Sequence, residues 1–393
     1  MKFAVSTSAL SKSLQIVAGA LTSHPVMPVL EDFLLELKGN KLNITTSNLE
    51  VTINTHMDVN GSKDGKIAIP GKILIDSLKT LPEQPLNFNI DTESRGIEMT
   101  SASGKYKLVG EKAEDFPILE HPTNEDKIEI NSDQLRKGID KSSFAVSNDE
   151  MRQNMRGINL NIDFNQLTFA ATDAHKLVRY TFRKLESDVA TSIILTKKSM
   201  QILSAILPKD TKVTLHFNKT KAFFSFENTL FTTRLVEAKF PDYNAVIPVN
   251  NSNKLLVTRE ELISALRRLS IFANKSTNQV VLSLQDGSLT INAQDLDFNN
   301  EATEQLSCNY EGESLNIGLN AKNLIEILSL IDSESVEFQL SNENKPIVIV
   351  PQVQEPEEDL LMRERFAASP WRSSRCATQG GCCRCTWAPT MRW

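Results

Sequence analysis

One pattern occurs three times along this chain of 393 residues and fixes its organisation. Residues 5–10 recur as 130–135 and as 257–262, so that the closing leucines lie 125 and then 127 residues apart. Each run is typical of a short strand, followed by a Ser, Thr or Asn N-cap and an amphipathic helix. Repetition at a fixed spacing predicts three copies of one structural unit.

Two further elements repeat in the same order. Three segments alternate apolar and polar residues, as half-buried strands do: 42–48, 167–173 and 289–295. A later strand in each copy leads into a second helix that ends near Leu81, Leu207 or Leu330. We therefore predict an α+β fold of three similar domains built on antiparallel sheets. The predicted domains are 1–122, 123–249 and 250–362.

The composition changes abruptly after Met362. Of the 43 basic and 49 acidic side chains, six Arg and one Glu lie from Arg363 onward, so residues 1–362 carry a net charge of −11. The same short segment holds all three Trp and four of the five Cys. We predict that 363–393 is a disordered tail that does not belong to the fold.

The tail cysteines raise the alternative of a zinc site. Their positions are Cys376, Cys382, Cys383 and Cys385. Adjacent cysteines chelate poorly and the tail contains no His, so we expect no metal and no cofactor. The only other cysteine, Cys308, offers no disulfide partner in the body, which fits a reducing compartment.

Several classes of function are disfavoured. No apolar run approaches the roughly 18–20 residues of a membrane span and the N-terminus does not resemble a signal peptide, so we expect a cytoplasmic protein without a membrane partner. The GxGxxG, P-loop, HExxH and GxSxG motifs are absent, which argues against an enzyme. An acidic body repels phosphate, so this is no simple basic DNA-binding domain.

Two motifs within the threefold repeat resemble the bacterial sliding clamp family, the beta subunit of DNA polymerase III. They are Thr172–Leu177 (TDAHKL) and Phe240–Tyr243 (FPDY), and the resemblance covers residues 1 to about 362. It implies a non-catalytic processivity factor: a head-to-tail homodimeric ring with sheets outside, helices lining a channel and duplex DNA inside. It also implies partners, namely the replicative polymerase catalytic subunit, the clamp loader, and other polymerases and repair proteins that carry a clamp-binding peptide. Association with the nucleoid during replication follows.

The resemblance assigns DNA contact to basic and polar residues on the predicted helices and on two loops. They are His24, Lys72, Lys79, Arg136, Lys137, Lys141, Arg152, Gln153, Arg156, Lys197, Lys198, Arg267 and Arg268. The alternative interpretation is that these side chains are ordinary solvated cations of helix surfaces. A ring that encircles DNA does not need tight phosphate binding, so the acidic body is compatible with this role.

The resemblance also implies a pocket for partner peptides and a seam between subunits. The expected pocket residues are Thr172, His175, Lys176, Leu177, Pro241, Val246, Asn344, Pro346 and Met362. Aliphatic and proline surface suits apolar peptide anchors, and the polar members can orient the peptide. The expected seam residues are Tyr106 and Leu108 on one side and Ile271 and Phe272 on the other.

The sequence departs from the family at its end. Relatives finish in an apolar Met-Pro-Met-like strand that forms the pocket floor, whereas here Arg363 and Glu364 interrupt the apolar pattern after Met362. We expect this strand to be lost, with weaker partner binding as the result. A second function remains open: a repeat-built protein-interaction scaffold that keeps the pocket but never encloses DNA.

Overall fold

A computed structural model describes residues 1–22, 25–117, 121–122, 127–342 and 345–365. The chain divides into two compact units. Unit 1 comprises Met1–Asp140, Ile162–Asn165 and Leu185–Glu237. Unit 2 comprises Lys141–Asn161, Gln166–Lys184 and the chain from Ala238 onward. The predicted tail from 366 to 393, with its four cysteines, lies outside the described residues.

Each repeat runs strand, helix, strands, helix, strands, as predicted. The first contains β1 (Lys2–Ser6), α1 (Thr7–Val17), β2 (Asp32–Lys38), β3 (Lys41–Ser47), β4 (Val51–Asp58), β5 (Asn60–Lys63), β6 (Gly65–Pro70), α2 (Gly71–Thr80), β7 (Pro85–Asp91), β8 (Gly96–Thr100) and β9 (Lys105–Val109). The second contains β10 (Lys127–Asn131), α3 (Ser132–Ser142), β11 (Gly157–Asp163), β12 (Gln166–Thr172), β13 (Lys176–Phe182), β14 (Thr191–Thr196), α4 (Lys197–Ile206), β15 (Lys212–Phe217), β16 (Lys221–Phe226) and β17 (Thr229–Arg234).

The third repeat follows the same order. It contains β18 (Asn253–Thr258), α5 (Arg259–Leu269), β19 (Gln279–Gln285), β20 (Ser288–Asp295), β21 (Asn300–Ser307), β22 (Asn309–Glu311), β23 (Leu315–Asn320), α6 (Ala321–Ser329), β24 (Ser335–Leu340), β25 (Ile347–Pro351) and β26 (Glu358–Glu364). The α+β class, the antiparallel sheets and the three similar repeats are therefore confirmed.

Antiparallel pairing joins consecutive repeats into continuous sheets. We call the last strand of each repeat (β9, β17, β26) its terminal strand, and the third strand after its first helix (β4, β13, β21) its acceptor strand. In unit 1, terminal strand β17 pairs with acceptor strand β4 in a sheet of order β10-β15-β16-β17-β4-β3-β2-β6. In unit 2, terminal strand β26 pairs with acceptor strand β13 in the run β12-β13-β26-β25-β24-β18-β22.

Two smaller sheets hold the remaining terminal and acceptor strands. In unit 1, β9 forms one edge of the sheet β5-β1-β7-β8-β9, and in unit 2, β21 forms one edge of the sheet β21-β20-β19-β23. Neither strand has a neighbour on its outer side among the residues that the structure describes. Each edge therefore presents unpaired backbone groups that could join another strand.

The repeats also share hydrogen bonds that connect the start of the first helix to the loop after the second. The donors are the backbone N–H groups of Thr7, Ser132 and Arg259, and the acceptors are the carbonyls of Gln84 (3.0 Å), Thr211 (2.8 Å) and Glu334 (2.9 Å), respectively. Because the first backbone N–H groups of a helix lack partners within it, these contacts fix the two helices of a repeat against each other.

The last strand corrects the sequence analysis. We predicted that the strand pattern would break after Met362, but β26 continues through Arg363 and Glu364. Cross-strand neighbours on both sides hold this end: Glu364 lies opposite Lys176 in β13 and opposite Ile347 in β25. Backbone hydrogen bonds do not depend on side-chain polarity, so two charged residues extend the ladder where the apolar pattern ends.

In the second and third repeats, an arginine on the first helix donates hydrogen bonds to carbonyls at the C-terminal end of the second helix. Arg136 of α3 donates to the carbonyls of Leu207 and, at 3.3 Å, Pro208, just after α4. Arg259 of α5 donates to the carbonyls of Leu328 and Ser333 at 3.3 and 3.1 Å, around the end of α6. A cation at this position satisfies otherwise unpaired carbonyls and favours the negative end of the helix dipole.

We predict that Arg136→Ala and Arg259→Ala each lower the free energy of unfolding by about 1–2 kcal/mol, because each exposes helix-end carbonyls that had charged donors. Lys72→Ala, which removes an exposed cation on α2, should change the free energy of unfolding by no more than about 0.5 kcal/mol. Urea unfolding followed by circular dichroism measures the three variants. Equal midpoints for all of them would contradict a capping role.

Candidate nucleic-acid and partner sites

Most of the cations predicted to contact DNA lie on solvent-facing parts of helices. In unit 1, Lys72 and Lys79 on α2 and Lys198 on α4 are exposed, while Lys137 and Lys197 are half-buried. In unit 2, Arg267 at the end of α5 is exposed, as is Arg156 after the first helix of the second repeat. These positions leave positive charge available on several helices of an otherwise acidic chain.

Several of the predicted cations are committed to contacts within the protein. Arg136 caps α4, as described above. Lys141 is almost fully buried, and its ammonium donates to Asp332 at 2.7 Å and to the carbonyl of Leu330. Arg268 forms two parallel hydrogen bonds to Glu304, at 2.8 and 2.6 Å, a geometry that adds strength to an ion pair. These groups would have to exchange partners to bind phosphate.

The loop before β11 carries the remaining predicted contacts. Arg152 forms an ion pair with Asp149 at 3.2 Å and donates to the carbonyl of Asp173 at 3.5 Å. Gln153 and Arg156 follow on the exposed surface. His24 of the other predicted loop lies outside the described residues.

The turn between β12 and β13 brings the first pocket residues together. Thr172 accepts from the backbone N–H of Ala174 at 3.1 Å and donates to the carbonyl of Lys176 at 2.8 Å. Asp173 accepts from the N–H groups of His175 and Lys176 at 2.9 and 2.8 Å. Ala174 adopts a φ of 78°, in the left-handed region that favours glycine. These bonds hold the turn closed and leave the side chain of His175 exposed.

The floor beside this turn is formed by β26. Met362 is fully buried and lies opposite Val178, and buried Leu177 lies opposite Arg363. The N–H of Arg365 donates to the carbonyl of His175 at 2.9 Å. The structure therefore brings Thr172, Leu177 and Met362 together through backbone pairing of β13 with β26.

The other predicted pocket residues flank this floor less directly. Pro241 and Val246 are half-buried in the segment that follows β17, and Pro346 precedes Ile347 of β25. Burial raises the pKa of Tyr243 in that segment, while the guanidinium of Arg179 in β13 acts in the opposite direction. Asn344 lies outside the described residues.

Lys176 is the ionic centre of the site, which the sequence did not reveal. Its side chain is largely buried, and its ammonium lies 2.6 Å from Glu326 of α6 and 4.0 Å from Asp173. The same ammonium is 5.4 Å from the ring centre of Phe144, a favourable cation–π distance. Lys176 therefore ties the pocket turn to α6 rather than presenting a free charge to a peptide.

Glu364 was also missed, because we assigned it to a foreign tail. Its carboxyl is fully buried at the N-terminal end of α6, where it accepts from the N–H of Asn320 at 3.2 Å. The alternation Leu360, Met362, Glu364 along one face of the strand was the signal that could have placed it inside. Sequence reasoning expected an apolar residue on that face, as at the two preceding positions.

The predicted seam residues lie on edge strand β9 in unit 1 and in the loop after α5 in unit 2. In unit 1, Tyr106 and Leu108 belong to edge strand β9. In unit 2, Ile271 and Phe272 follow α5 and are 66% and 41% exposed. The sequence analysis missed two further exposed apolar residues in unit 2, Leu296 and Phe298.

Hydrogen bonds join the two apolar segments of unit 2. The side-chain amide of Asn274 donates to Asp295 at 3.3 Å and to Asp297 at 3.2 Å, which holds the loop after α5 against the loop before β21. An apolar patch next to an unpaired strand edge is typical of a protein–protein contact surface.

The described part of the chain lacks two further features. No group of three or more His, Cys, Asp or Glu side chains there is arranged to hold a metal ion. Within the same residues, every helix is too short or too polar to cross a bilayer.

Family profiles match nearly all of the described chain. Three domain profiles of the DNA polymerase III beta subunit match this chain: the N-terminal domain at residues 1–120, the central domain at 129–242 and the C-terminal domain at 244–365. The beta sliding clamp of Pseudomonas aeruginosa is 30% identical over 357 residues, covering 89% of this chain and 95% of the relative. That of Synechococcus elongatus is 27% identical over 362 residues, covering 89% and 96%.

Solved structures agree with these matches. A crystal structure of the P. aeruginosa sliding clamp bound to griselimycin superposes with a TM-score of 0.88 at 26% identity, covering 94% of this chain and all of that one. The Thermotoga maritima DNA polymerase III beta subunit shares the fold, with a TM-score of 0.86 at 24% identity and coverage of 94% and 99%. The chain belongs to the family of bacterial sliding clamps, the non-catalytic beta subunits of DNA polymerase III that act as processivity factors in DNA replication.

Proposed function

We propose that two copies of this chain close head-to-tail into a ring around duplex DNA and tether the replicative polymerase through the pocket at β13 and β26. The observation that carries this proposal is the pattern of strand pairing. Terminal strands β17 and β26 each pair with the acceptor strand of the preceding repeat, which leaves terminal strand β9 and acceptor strand β21 with free edges. A second copy supplies the missing partner for both edges.

The register of this third pairing follows from the other two. Equivalent residues of β1, β10 and β18 lead, from one paired strand to the next, to equivalent residues of the three terminal strands. In this way Tyr106 of β9 corresponds to Phe231 of β17 and to Met362 of β26. Those two residues lie opposite Ile53 and Val178, whose equivalent in β21 is Ala302. Tyr106 of one copy should therefore lie opposite Ala302 of the other, and Lys107 opposite Glu301.

The chemistry of the two edges supports this register. Edge β9 carries exposed Lys105 and Lys107, and edge β21 carries exposed Glu301. Opposite charges directly across a pair of strands stabilise it, and the apolar side chains on the other face can pack together. A head-to-tail contact repeated twice by a twofold axis closes into a ring without leaving an open edge.

We predict that Lys107→Glu and Glu301→Lys each weaken dimerisation roughly tenfold or more, because each places like charges across both seams of the dimer. The double variant should recover most of the loss. Sedimentation equilibrium measures the dissociation constants, and Lys63→Glu on the opposite edge of the same sheet is the matched control. A double variant as weak as the single variants would contradict the register.

The DNA contacts in this proposal are made by the exposed helix cations. Lys72, Lys198 and Arg267 are exposed, and Lys197 is half-buried. Lys79 is exposed but pairs with Asp76 at 3.5 Å, and Lys137 is half-buried. Residues 1–362 are acidic overall, so electrostatic attraction to phosphate is weak. Enclosure, rather than affinity, then keeps the protein on DNA while it slides.

We predict that the topology of the DNA determines retention. Protein that is reassembled from monomers in the presence of nicked circular plasmid should stay bound after the salt concentration is raised, and should be lost once the plasmid is linearised. Gel filtration of the complexes measures this. Lys107→Glu, which disfavours ring closure, should be lost from both forms. Equal loss of the wild-type protein from circular and linear plasmid would instead favour the interaction scaffold.

The pocket is proposed to bind the apolar anchors of partner peptides, including those of the polymerase, other polymerases and repair proteins. Leu177 and Met362 are buried beneath this site, and the half-buried Val246 supplies apolar surface at its rim. The chain has no recognisable ATP site, so ring opening is assigned to a separate clamp loader. The proposal includes a cytoplasmic location, with association with the nucleoid during replication. It also includes the predicted domain limits 1–122, 123–249 and 250–362.

We predict that Val246→Glu weakens binding of a synthetic peptide with two adjacent apolar anchors by at least roughly tenfold, because burying an unpaired carboxylate is costly. Val353→Glu makes the same change at an exposed site and should leave the affinity unchanged. Fluorescence anisotropy with a labelled peptide measures both. Equal affinities of the two variants would remove Val246 from the pocket.

A further inference from the structure

The end of β26 buries charged groups without satisfying them. Glu364 is fully buried, and its Oε1 accepts from the N–H of Asn320, but Oε2 has no hydrogen-bond partner. The preceding residue, Arg363, is also buried, and its Nε has no hydrogen-bond partner. Unsatisfied buried polar groups are costly, so this short segment is the least favourably docked part of a strand whose other residues are largely apolar or ion-paired.

The surroundings of Glu364 offset its negative charge only in part. Opposite it in β13 is Lys176, whose ammonium is already 2.6 Å from Glu326 of α6. Asp173, at the pocket turn, adds a second negative charge nearby. The neighbour on the other side, Ile347 of β25, is apolar. From α6 and its cap, only the backbone of Asn320 and the side chain of Asn323 favour the ionised carboxyl.

We propose that Glu364 makes the end of β26 a pH-sensitive clasp, docked while its carboxyl is protonated and released from β13 and β25 when it ionises. Release would free the carbonyl of His175, which now accepts from Arg365, and uncover the N-terminal end of α6 beside the pocket turn. Any effect on partner peptides rests on the proposed function. The clasp itself is a property of the folded chain and stands without it.

The direction of the pH effect follows from burial. Burial raises the pKa of Glu364 from 4.5 to about 8, more than its hydrogen bonds and Lys176 lower it. In the released segment the pKa of this carboxyl returns to its ordinary value. Below about pH 4.5 both forms are protonated and docking is strongest. Between about pH 4.5 and 8 only the released form loses its proton, so docking weakens by up to tenfold per pH unit and then levels off.

Deuterium exchange measured by mass spectrometry tests the clasp between pH 5 and 9, with rates corrected for the intrinsic pH dependence of exchange. In the wild-type protein, protection of peptides covering 361–365 should fall by up to tenfold per pH unit up to about pH 8. Peptides covering β19 serve as the internal reference and should not change. In Glu364→Gln, which resembles the protonated carboxyl and cannot ionise, protection of 361–365 should be independent of pH.

Two further variants make the result decisive. Glu313→Gln removes an exposed carboxyl from the same unit and should behave like the wild-type protein. Glu364→Met restores an apolar side chain and should increase the protection of 361–365 at pH 8, even if Glu364→Gln is poorly folded. Protection of 361–365 that is constant with pH in the wild-type protein, or that falls equally in Glu364→Met, would overturn the proposal.

Discussion

Pairing between the terminal strand of one repeat and the acceptor strand of the preceding one is the interaction on which the rest of this structure depends. It makes a continuous sheet across each repeat boundary, so β17 completes the first repeat and β26 completes the second. Three repeats in one chain can form only two such pairs. Among the described residues, the unpaired edges of β9 and β21 therefore follow from the number of repeats, and in the proposed dimer a second copy with the same arrangement would satisfy them.

The same pairing also brings together residues of the proposed partner site. Because β26 lies against β13, the turn at Thr172 is brought beside Met362, although 190 positions separate the two residues in sequence. At the equivalent turn of the first repeat, the backbone carbonyl of Glu50 accepts from the N–H of Arg234 in the same way, but its carboxylate also accepts from the hydroxyl of Thr196 at the cap of α4. In the second repeat that position is His175, whose side chain is exposed. The side chain at this position of the turn is thus hydrogen-bonded in the first repeat and exposed in the second.

Periodic features of the sequence predicted much of the fold. The spacing of the repeats, the alternation in β3, β12 and β20, and the helix stripes depend on local pattern, so the α+β class and the order of elements could be predicted. The roles of Arg136, Lys141 and Lys176 could not be predicted from the sequence. A cation on a helix or strand looks the same in sequence whether it meets solvent or a carbonyl 71 residues away, as Arg136 does at Leu207. The last two residues of β26 were misassigned because backbone pairing tolerates charged side chains that an apolar pattern excludes.

The most direct test of this account is the molar mass of the wild-type protein in solution, measured by light scattering during size exclusion across a dilution series. If the free edges of β9 and β21 pair between two copies, the main species at micromolar concentration will have twice the 43.9 kDa mass of the chain. A species of 43.9 kDa throughout the series would show that these edges remain unpaired, and the encircling mechanism would lose its physical basis.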